Sequence, residues 1–307
     1  MRALLLLVPP AIVAAYLVWA GFKYTRMISN IFLSLVYKPA FEPPVSAAGE
    51  KITILNSSDE EIEALYHGRR GAKKLAVFCH ESGAGKESWE KYAYFLPDAG
   101  FSVLSFDFKP RGGESEKNSL SQWPTEEDVE RLVTVIRWAK KAGRPDASIV
   151  LFGVSNGADI AFAASFRDPA VKAVVADGLF SMKEIFRDYI RKWAPILVRP
   201  NLFGERYPSW VVNVFTELGF WYSQKRSHRL FVDIERYLTR GHVPLLMIHG
   251  EKDDYVPAGH QSFLEKMNRR GSAAVPRVVV PEAGHNQAVV LGREIYEKKV
   301  RDFLSAL

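Results

Sequence analysis

The chain has 307 residues, of which 48% are hydrophobic and 25% charged, so it is long and apolar enough to fold around one substantial core. Its single cysteine, Cys79, excludes an intramolecular disulfide framework, and we interpret it as a small buried hydrophobe. The net charge of +6 comes without a recognisable nucleic-acid-binding module, so no nucleic-acid partner is expected. The sequence also lacks a His-Glu-x-x-His zinc motif and a Gly-x-x-x-x-Gly-Lys-Ser/Thr phosphate loop, so we expect neither metal nor cofactor.

The N-terminal segment is apolar enough to interact with a membrane. Residues 3–22 carry no charge, and Arg2 and Lys23 flank them. At about 1.5 Å per residue, a helix of this length covers the roughly 30 Å hydrocarbon layer. We therefore predict a single-pass transmembrane anchor over residues 1–26, whose orientation the evenly divided flanking charges leave open. The alternative is a secretory signal with a small-residue cleavage site at residues 18–20, which would give a secreted or periplasmic protein.

Residues 27–50 are predicted to be a juxtamembrane linker, because Pro39, Pro43 and Pro44 favour extended backbone. From residue 51 onward, buried-type strands alternate with helix-prone segments. This alternation predicts an α/β fold with a mainly parallel sheet of the eight-stranded type and helices on both faces. We predict strands over residues 51–56, 61–66, 75–80, 102–108, 148–154, 171–176, 245–248 and 277–280, and helices over residues 86–99, 125–141, 156–166 and 293–305.

An insertion over residues 181–240 interrupts the alternation and separates a first part of the core, residues 51–180, from a second part, residues 241–307. The insertion carries 11 Lys and Arg against 6 Asp and Glu, together with 12 aromatic residues. We predict a helical cap or lid. Its aromatic side chains either pack on the core beneath a solvated basic face, or act with the basic residues at an anionic bilayer surface.

The most informative motif is Gly-x-Ser-x-Gly at residues 153–157, where the predicted strand 148–154 gives way to a helix. This pattern is typical of a nucleophile elbow, in which a tight turn lifts a serine hydroxyl clear of the backbone. Glycines flank the serine because neighbouring backbone comes so close that a Cβ would clash. Ser155 is therefore the candidate nucleophile.

Two further candidate groups follow later strands. Asp253 and Asp254 come after the strand that ends at residue 248, and His285 comes after the strand that ends at residue 280. The carboxyl ends of parallel strands meet at one edge of a sheet, so residues far apart in sequence converge there. The chain order Ser, Asp, His fits neither the chymotrypsin order nor the subtilisin order.

From about residue 51 to the C-terminus, these motifs resemble those of the α/β-hydrolase superfamily, and more closely those of its membrane-anchored serine hydrolases of the esterase, lipase and serine aminopeptidase type. Two more segments carry the resemblance. Residues 106–115 are similar to the family's Asp-x-Arg-Gly-x-Gly-x-Ser turn, with Lys109 and Pro110 inserted. Residues 78–85 take the position of the family's oxyanion-hole loop, where Glu81 replaces the usual glycine.

The resemblance implies a catalytic triad of Ser155, His285 and Asp253. It also implies that the backbone N–H groups of Asn156 and Ser82 form the oxyanion hole. Asp253 falls at the acid position of the family pattern, while two other aspartates stay open as alternatives: Asp254 and Asp177. The remaining histidines are expected either to support loops, as His80 and His249 do by resemblance, or to lie on the surface or cap without a chemical role, as for His67, His228, His242 and His260.

The predicted activity is hydrolysis of carboxylic esters or thioesters of acyl substrates, and the aromatic cap favours lipid-like ones. An amidase or aminopeptidase of the same fold is the alternative enzyme. A non-catalytic α/β-hydrolase scaffold is the alternative outside enzymes, and Glu81 in the oxyanion loop is its only indication. The expected partners are a small acyl ester and a membrane, contacted by the N-terminal helix and by the cap. The sequence does not indicate an oligomeric state.

Overall fold

The computed structural model describes residues 2–35, 46–109, 122–142, 148–201, 203–240, 243–256, 258–269 and 275–307. The chain divides into two compact units. The first, which we call the helical unit, comprises Met1–Leu35 and Met182–Arg229. The second, which we call the core unit, comprises Val36–Ser181 and Leu230–Leu307.

The core unit is built on one eight-stranded sheet. Its strands are β1 Glu50–Leu55, β2 Glu61–His67, β3 Lys74–Cys79, β4 Phe101–Phe106, β5 Ser148–Val154, β6 Val171–Asp177, β7 Leu245–Gly250 and β8 Arg277–Val280. Their order is β1-β2-β4-β3-β5-β6-β7-β8. β2 is antiparallel to both of its neighbours, and all pairs from β4 to β8 are parallel. The predicted mainly parallel sheet is confirmed, and every strand begins and ends within two residues of its predicted bounds.

The helices, in chain order, are α1 Arg2–Ser34, α2 Trp89–Tyr92, α3 Glu126–Lys141, α4 Asn156–Ala164, α5 Met182–Leu197, α6 Ser209–Ser227, α7 Ile234–Leu238, α8 Ala258–Arg269, α9 Ala288–Leu291 and α10 Arg293–Ser305. α3 begins where predicted, because Thr125 and Asp128 form a capping box at its N-terminus. The predicted helix over residues 86–99 is wrong. The chain forms only a 3₁₀ turn at Lys86–Ser88 followed by α2, and Pro97 cannot donate a hydrogen bond to a continuing helix.

Apolar side chains pack on both faces of the sheet. Alternate residues of β3 point to opposite faces, so Val77 and Cys79 belong to one buried cluster, and Ala76 and Phe78 to the other. Complete burial raises the pKa of the Cys79 thiol far above its usual value, because the thiolate would be desolvated. Cys79 is therefore a packing residue, as the sequence predicts.

The helical unit consists of α1, α5 and α6. α1 continues to Ser34, eight residues beyond the predicted end of the anchor, because the residues after Arg26 pack against the other two helices. Phe32 stacks on Phe186 at a centroid distance of 4.0 Å, and the Ser223 hydroxyl donates to the Ser29 hydroxyl over 2.8 Å. Over the described part of the chain, none of the helices has the combination of length and hydropathy that a membrane crossing requires. The predicted single-pass anchor is not supported.

Candidate active site

Ser155 lies at the sharp turn between β5 and α4. Its backbone has φ 53° and ψ −121°, a conformation that L-residues rarely adopt, and its N–H donates to the carbonyl oxygen of Asp177 over 2.7 Å. A Cβ at Gly157 would lie well under 3.0 Å from the carbonyl oxygens of Cys79 and His80. The turn therefore needs glycine at position 157, and it seats Ser155 against the end of β3.

Ser155, His285 and Asp253 form one continuous chain of hydrogen bonds. The Ser155 Oγ lies 2.9 Å from Nε2 of His285, and Nδ1 of the same ring lies 2.7 Å from Oδ2 of Asp253. An ionised carboxylate only accepts hydrogen bonds, so the His285 proton lies on Nδ1 and Nε2 is left to accept from the serine. All three side chains are buried.

The loop after β7 fixes Asp253 so that one carboxylate oxygen faces His285. The other oxygen, Oδ1, accepts from the backbone N–H groups of Tyr255 and Val256 over 2.8 and 2.7 Å. These two backbone donors hold the carboxylate in a fixed orientation. The neighbouring Asp254 is exposed, whereas Nδ1 of the imidazole bonds to Asp253. Asp253 is thus the acid that contacts His285.

Asp177, the third candidate acid, occupies a different position. It ends β6, and its carboxylate accepts from the Tyr296 hydroxyl over 3.1 Å. Complete burial raises the pKa of Asp177 to about 7. The hydrogen bond from Tyr296 opposes this increase, whereas the nearby carboxylates of Glu81 and Asp253 add to it. Within the described residues, the carboxylate that bonds to His285 is that of Asp253, and Asp177 bonds to Tyr296 instead.

The predicted oxyanion donors lie in the surroundings that their role requires. Asn156 is the first residue of α4, and N–H groups at a helix N-terminus point out of the helix, where they favour negative charge. Ser82 lies in the loop after β3, and the contact of the Gly157 turn with the end of β3 brings that loop beside the elbow. Both residues are 5% exposed, so water is largely excluded around them.

Glu81 takes part in the site, a role that sequence reasoning missed. Its side chain is 2% exposed, and its two carboxylate oxygens each accept at 2.6 Å, one from the Tyr92 hydroxyl and the other from the Asn286 amide. Asn286 follows His285 directly and has φ 58°. Glu81 therefore ties the histidine loop to α2. No sequence signal identifies these partners, because they lie 11 and 205 residues away.

Hydrogen bonds also hold Asp107, the first residue of the predicted Asp-x-Arg-Gly-x-Gly-x-Ser turn. Asp107 accepts from the backbone N–H of Lys86 over 2.8 Å and from its ammonium over 2.6 Å. This pair holds the loop that follows β3 against the end of β4. Residues 110–115 of the predicted turn, including the inserted Pro110, lie outside the described residues.

Three further histidines are buried close to these loops. His80 Nδ1 lies 2.7 Å from the carbonyl oxygen of Glu81, and the Phe108 N–H donates to its Nε2, which is a loop-supporting arrangement. Burial lowers the pKa of His249 to about 3, so its imidazole is neutral. The expectation for His260 is wrong. It is buried and accepts from the Ser181 N–H over 2.7 Å, because it packs beneath the start of the insertion.

The structure thus brings the Ser155 hydroxyl, the His285 imidazole and the Asp253 carboxylate into one hydrogen-bonded chain. Within the described ranges, no group of three His, Cys, Asp or Glu side chains is arranged to hold a metal ion. Together the sheet and the elbow define a serine hydrolase of the α/β-hydrolase fold. The chain belongs to the prolyl oligopeptidase family, which it matches over residues 88–306.

Several individual proteins are similar to this chain. An uncharacterized protein of Mycobacterium tuberculosis is 25% identical over 283 residues, which cover 88% of this chain and 86% of the relative. YfhR of Escherichia coli is 25% identical over 240 residues, which cover 76% of this chain and 72% of the relative. An esterase of Pyrococcus furiosus has a similar structure, with a TM-score of 0.61, 19% identity, and coverage of 89% of this chain and 98% of that one. At that identity the likeness concerns the fold alone.

Proposed function

We propose that this protein hydrolyses carboxylic esters or thioesters through a Ser155–His285–Asp253 triad. The continuous hydrogen-bond chain from the serine hydroxyl to the buried carboxylate is the observation that supports it. The esterases among the solved structures of the same fold, from Pyrococcus furiosus and Rhodothermus marinus, favour ester substrates. The substrate is a small acyl ester.

In the first half-reaction, the Ser155 hydroxyl oxygen attacks the acyl carbonyl carbon while Nε2 of His285 takes its proton. The carbonyl oxygen becomes an oxyanion, which accepts from the N–H groups of Asn156 and Ser82, each worth about 10²- to 10³-fold in rate. The protonated His285 then gives its proton to the departing alkoxide or thiolate. Asp253 stabilises the imidazolium during this step, and an acyl-serine remains.

In the second half-reaction, water attacks the acyl-serine carbonyl carbon and His285 accepts its proton. The same amide donors stabilise the second oxyanion. When the tetrahedral intermediate collapses, the proton returns from His285 to the Ser155 oxygen and the carboxylic acid leaves. Splitting hydrolysis in this way replaces one difficult step with two easier ones.

A fluorophosphonate probe tests the proposal, because it labels only serines that are activated as nucleophiles. We expect the wild-type protein to be labelled and Ser155→Ala not to be. Ser305→Ala is a matched control, since Ser305 lies at the exposed end of α10. Absence of labelling in the wild type would favour the alternative of a non-catalytic scaffold.

The family match supports a second candidate, an amidase or peptidase, because the family is named for an oligopeptidase. The triad chemistry is the same, except that His285 protonates an amine leaving group instead of an alkoxide. A panel of p-nitrophenyl esters of graded chain length, assayed beside p-nitroanilides of proline and alanine, separates the two. Faster turnover of the anilides by kcat/KM would replace the ester assignment.

We also infer that the helical unit associates with anionic membrane surfaces. Of the 21 large hydrophobic side chains that are exposed among the described residues, 14 belong to this unit, although it holds only about a quarter of the chain. The unit also carries 12 Lys and Arg against 4 Asp and Glu. Exposed aromatic and basic side chains together suit the bilayer interface. Equal binding to neutral and anionic vesicles would contradict this inference.

A further inference from the structure

The helical unit contains an apolar cavity of about 170 Å³. Every described residue that lines it belongs to this unit, and Ser155, His285 and Asp253 are not among them. On α1 the lining includes Tyr16, Ala20 and Tyr24, which lie on one face of the helix because they are four residues apart. Facing side chains include Trp193 of α5 and Phe215 of α6.

The chemistry of the cavity fits an alkyl chain. Within the described part of the chain no charged residue lines it, and the polar side-chain groups are tyrosine hydroxyls and the indole N–H of Trp193. An apolar cavity of roughly 150 Å³ stays dry and takes up benzene, a six-carbon ring. The cavity in the helical unit is partly open to solvent but has a similar volume, so it has room for an alkyl segment of about six carbons. Its apolar lining offers no compensation for a buried ion.

Gly21 keeps this cavity open. It lies in the middle of α1 and lines the cavity, and nothing comes within 4 Å of the position where a Cβ would be. Glycine in a helix interior is less favourable than alanine, so helix stability would favour a larger residue. Close packing does not require glycine here either. A larger side chain at this position would fill the space that an alkyl chain would occupy.

The tyrosine end of the cavity adjoins a cationic residue. The Tyr16 hydroxyl donates to the carbonyl oxygen of Arg199 over 2.9 Å, and the Arg199 N–H donates to the Tyr24 hydroxyl oxygen over 3.0 Å. The Arg199 guanidinium donates to the carbonyl oxygen of Val198, which itself lines the cavity. Arg199 is not itself among the described lining residues, but Val198 and Pro200 on either side of it are. Its charge therefore lies close enough to the tyrosine end to attract the carboxylate of a ligand whose chain occupies the cavity.

We propose that this cavity binds the alkyl chain of a fatty acid, with about six carbons enclosed and the carboxylate beside Arg199. The proposal goes beyond ester hydrolysis and does not depend on it, because no triad residue contributes to the cavity. Binding is non-covalent and leaves the acid unchanged.

Isothermal titration of the full-length Ser155→Ala protein with decanoate tests the proposal, since this background removes the nucleophile. We expect saturable binding of one decanoate per chain. Gly21→Leu, added to this background, should weaken it at least tenfold, because the leucine fills the cavity. Gly259→Leu in α8 of the core unit is the matched control, since Gly259 also has nothing within 4 Å of an added Cβ. It should bind within twofold of the parent.

Equal decanoate affinity in the Gly21→Leu and Gly259→Leu proteins would overturn the proposal, as would the absence of saturable binding to the parent. Circular dichroism checks that Gly21→Leu unfolds at the temperature of the parent or above it. Should that variant fail to fold, Ala20→Leu fills the same cavity from the neighbouring position and must show the same loss of affinity.

The carboxylate assignment has its own test. Arg199→Gln should weaken decanoate binding several-fold and leave decanol binding unchanged, because only the acid carries a charge. Decyltrimethylammonium should bind less tightly than decanoate. If the cationic amphiphile binds as tightly as the acid, the assignment of a fatty acid is wrong.

Discussion

At the scale of single residues, adjacent aspartates provide a direct test of the triad. Asp253 contacts His285 Nδ1 at 2.7 Å, whereas Asp254 is exposed. Asp253→Asn should therefore lower kcat by about 10³- to 10⁴-fold, because an amide at that position favours the wrong imidazole tautomer. Asp254→Asn should change kcat by less than twofold. Steady-state hydrolysis of p-nitrophenyl butyrate measures both, and a reversed result would transfer the acid role to Asp254.

The raised pKa of Asp177 predicts that the free energy of unfolding depends on pH. Its pKa is about 7 in the folded protein and about 3.8 in an unfolded chain, so between these values the folded state holds a proton that the unfolded state has lost. The contribution of Asp177 to stability is therefore present below about pH 4 and is lost as the pH rises through 7. Replacement by asparagine removes this loss and retains a partner for the Tyr296 hydroxyl.

The free energy of unfolding of Asp177→Asn, relative to wild type, should accordingly increase by about 2–3 kcal/mol between pH 5 and pH 8. Urea unfolding at the two pH values measures it. Asp98→Asn is the control, because Asp98 is exposed, and its difference from wild type should stay constant. A constant difference for Asp177→Asn as well would contradict the assignment of a raised pKa.

The residues of the site divide into those with a local signal and those without. Ser155 and His285 follow strand ends within short motifs, and the parallel sheet brings those ends to one edge. Glu81 has no such signal. In the sequence it stands only as a replacement for the usual glycine of the oxyanion-hole loop. The fold shows that Tyr92 and Asn286 donate to its carboxylate. Likewise, His260 is buried by a contact with Ser181 that lies 79 residues away.

At the scale of secondary structure elements, the packing of the elbow against β3 is the most demanding contact. Gly157→Ala would place a Cβ against two backbone carbonyl groups, which cannot rotate away as a side chain would. We expect the elbow to shift, with a loss of at least about 10² in kcat/KM. Gly259→Ala meets no atom within 4 Å and should keep wild-type activity. Ester hydrolysis by the folded proteins, verified by circular dichroism, distinguishes the two, and an active Gly157→Ala would refute this reading of the turn.

The elements that were predicted well have strong local signals. β5, β8 and α10 match their predicted bounds, because apolar strand residues and an amphipathic helix pattern define them. The helix predicted over residues 86–99 is wrong even though its buried apolar residues, Trp89, Tyr92, Ala93 and Leu96, follow helical spacing. Pro97 cannot donate the backbone hydrogen bond that a continuing helix needs. α1 also exceeds its predicted length. Hydropathy alone does not distinguish burial against lipid from burial against α5 and α6, which is a tertiary property.

At the scale of the whole molecule, charge and exposed apolar surface are concentrated in the helical unit. The unit has a net charge of +8, while the rest of the chain has −2. On α6, exposed apolar residues follow one helical face at Trp210, Val214, Leu218 and Trp221. Phe22 of α1 contacts Tyr222, the residue after Trp221, at a ring distance of 6.3 Å. The exposed faces of α1 and α6 are thus neighbours.

This arrangement predicts both an apolar and an electrostatic contribution to vesicle binding. Replacing Trp210 and Trp221 by serine should weaken association with phosphatidylserine-containing vesicles at least tenfold, because both indoles would otherwise enter the interface. Replacing Val290 and Leu291 of the core unit, which are similarly exposed, by serine should have less than a twofold effect.

Raising the salt concentration from 0.1 to 1 M shortens the Debye length from about 10 Å to about 3 Å. It should weaken binding of the wild type and of both variants by a similar factor, because none of these substitutions changes the charge. Vesicle co-sedimentation measures all of these affinities. If binding were independent of salt, or if the Val290 and Leu291 substitutions weakened it as much as the tryptophan substitutions, the helical unit would not be the membrane-binding surface.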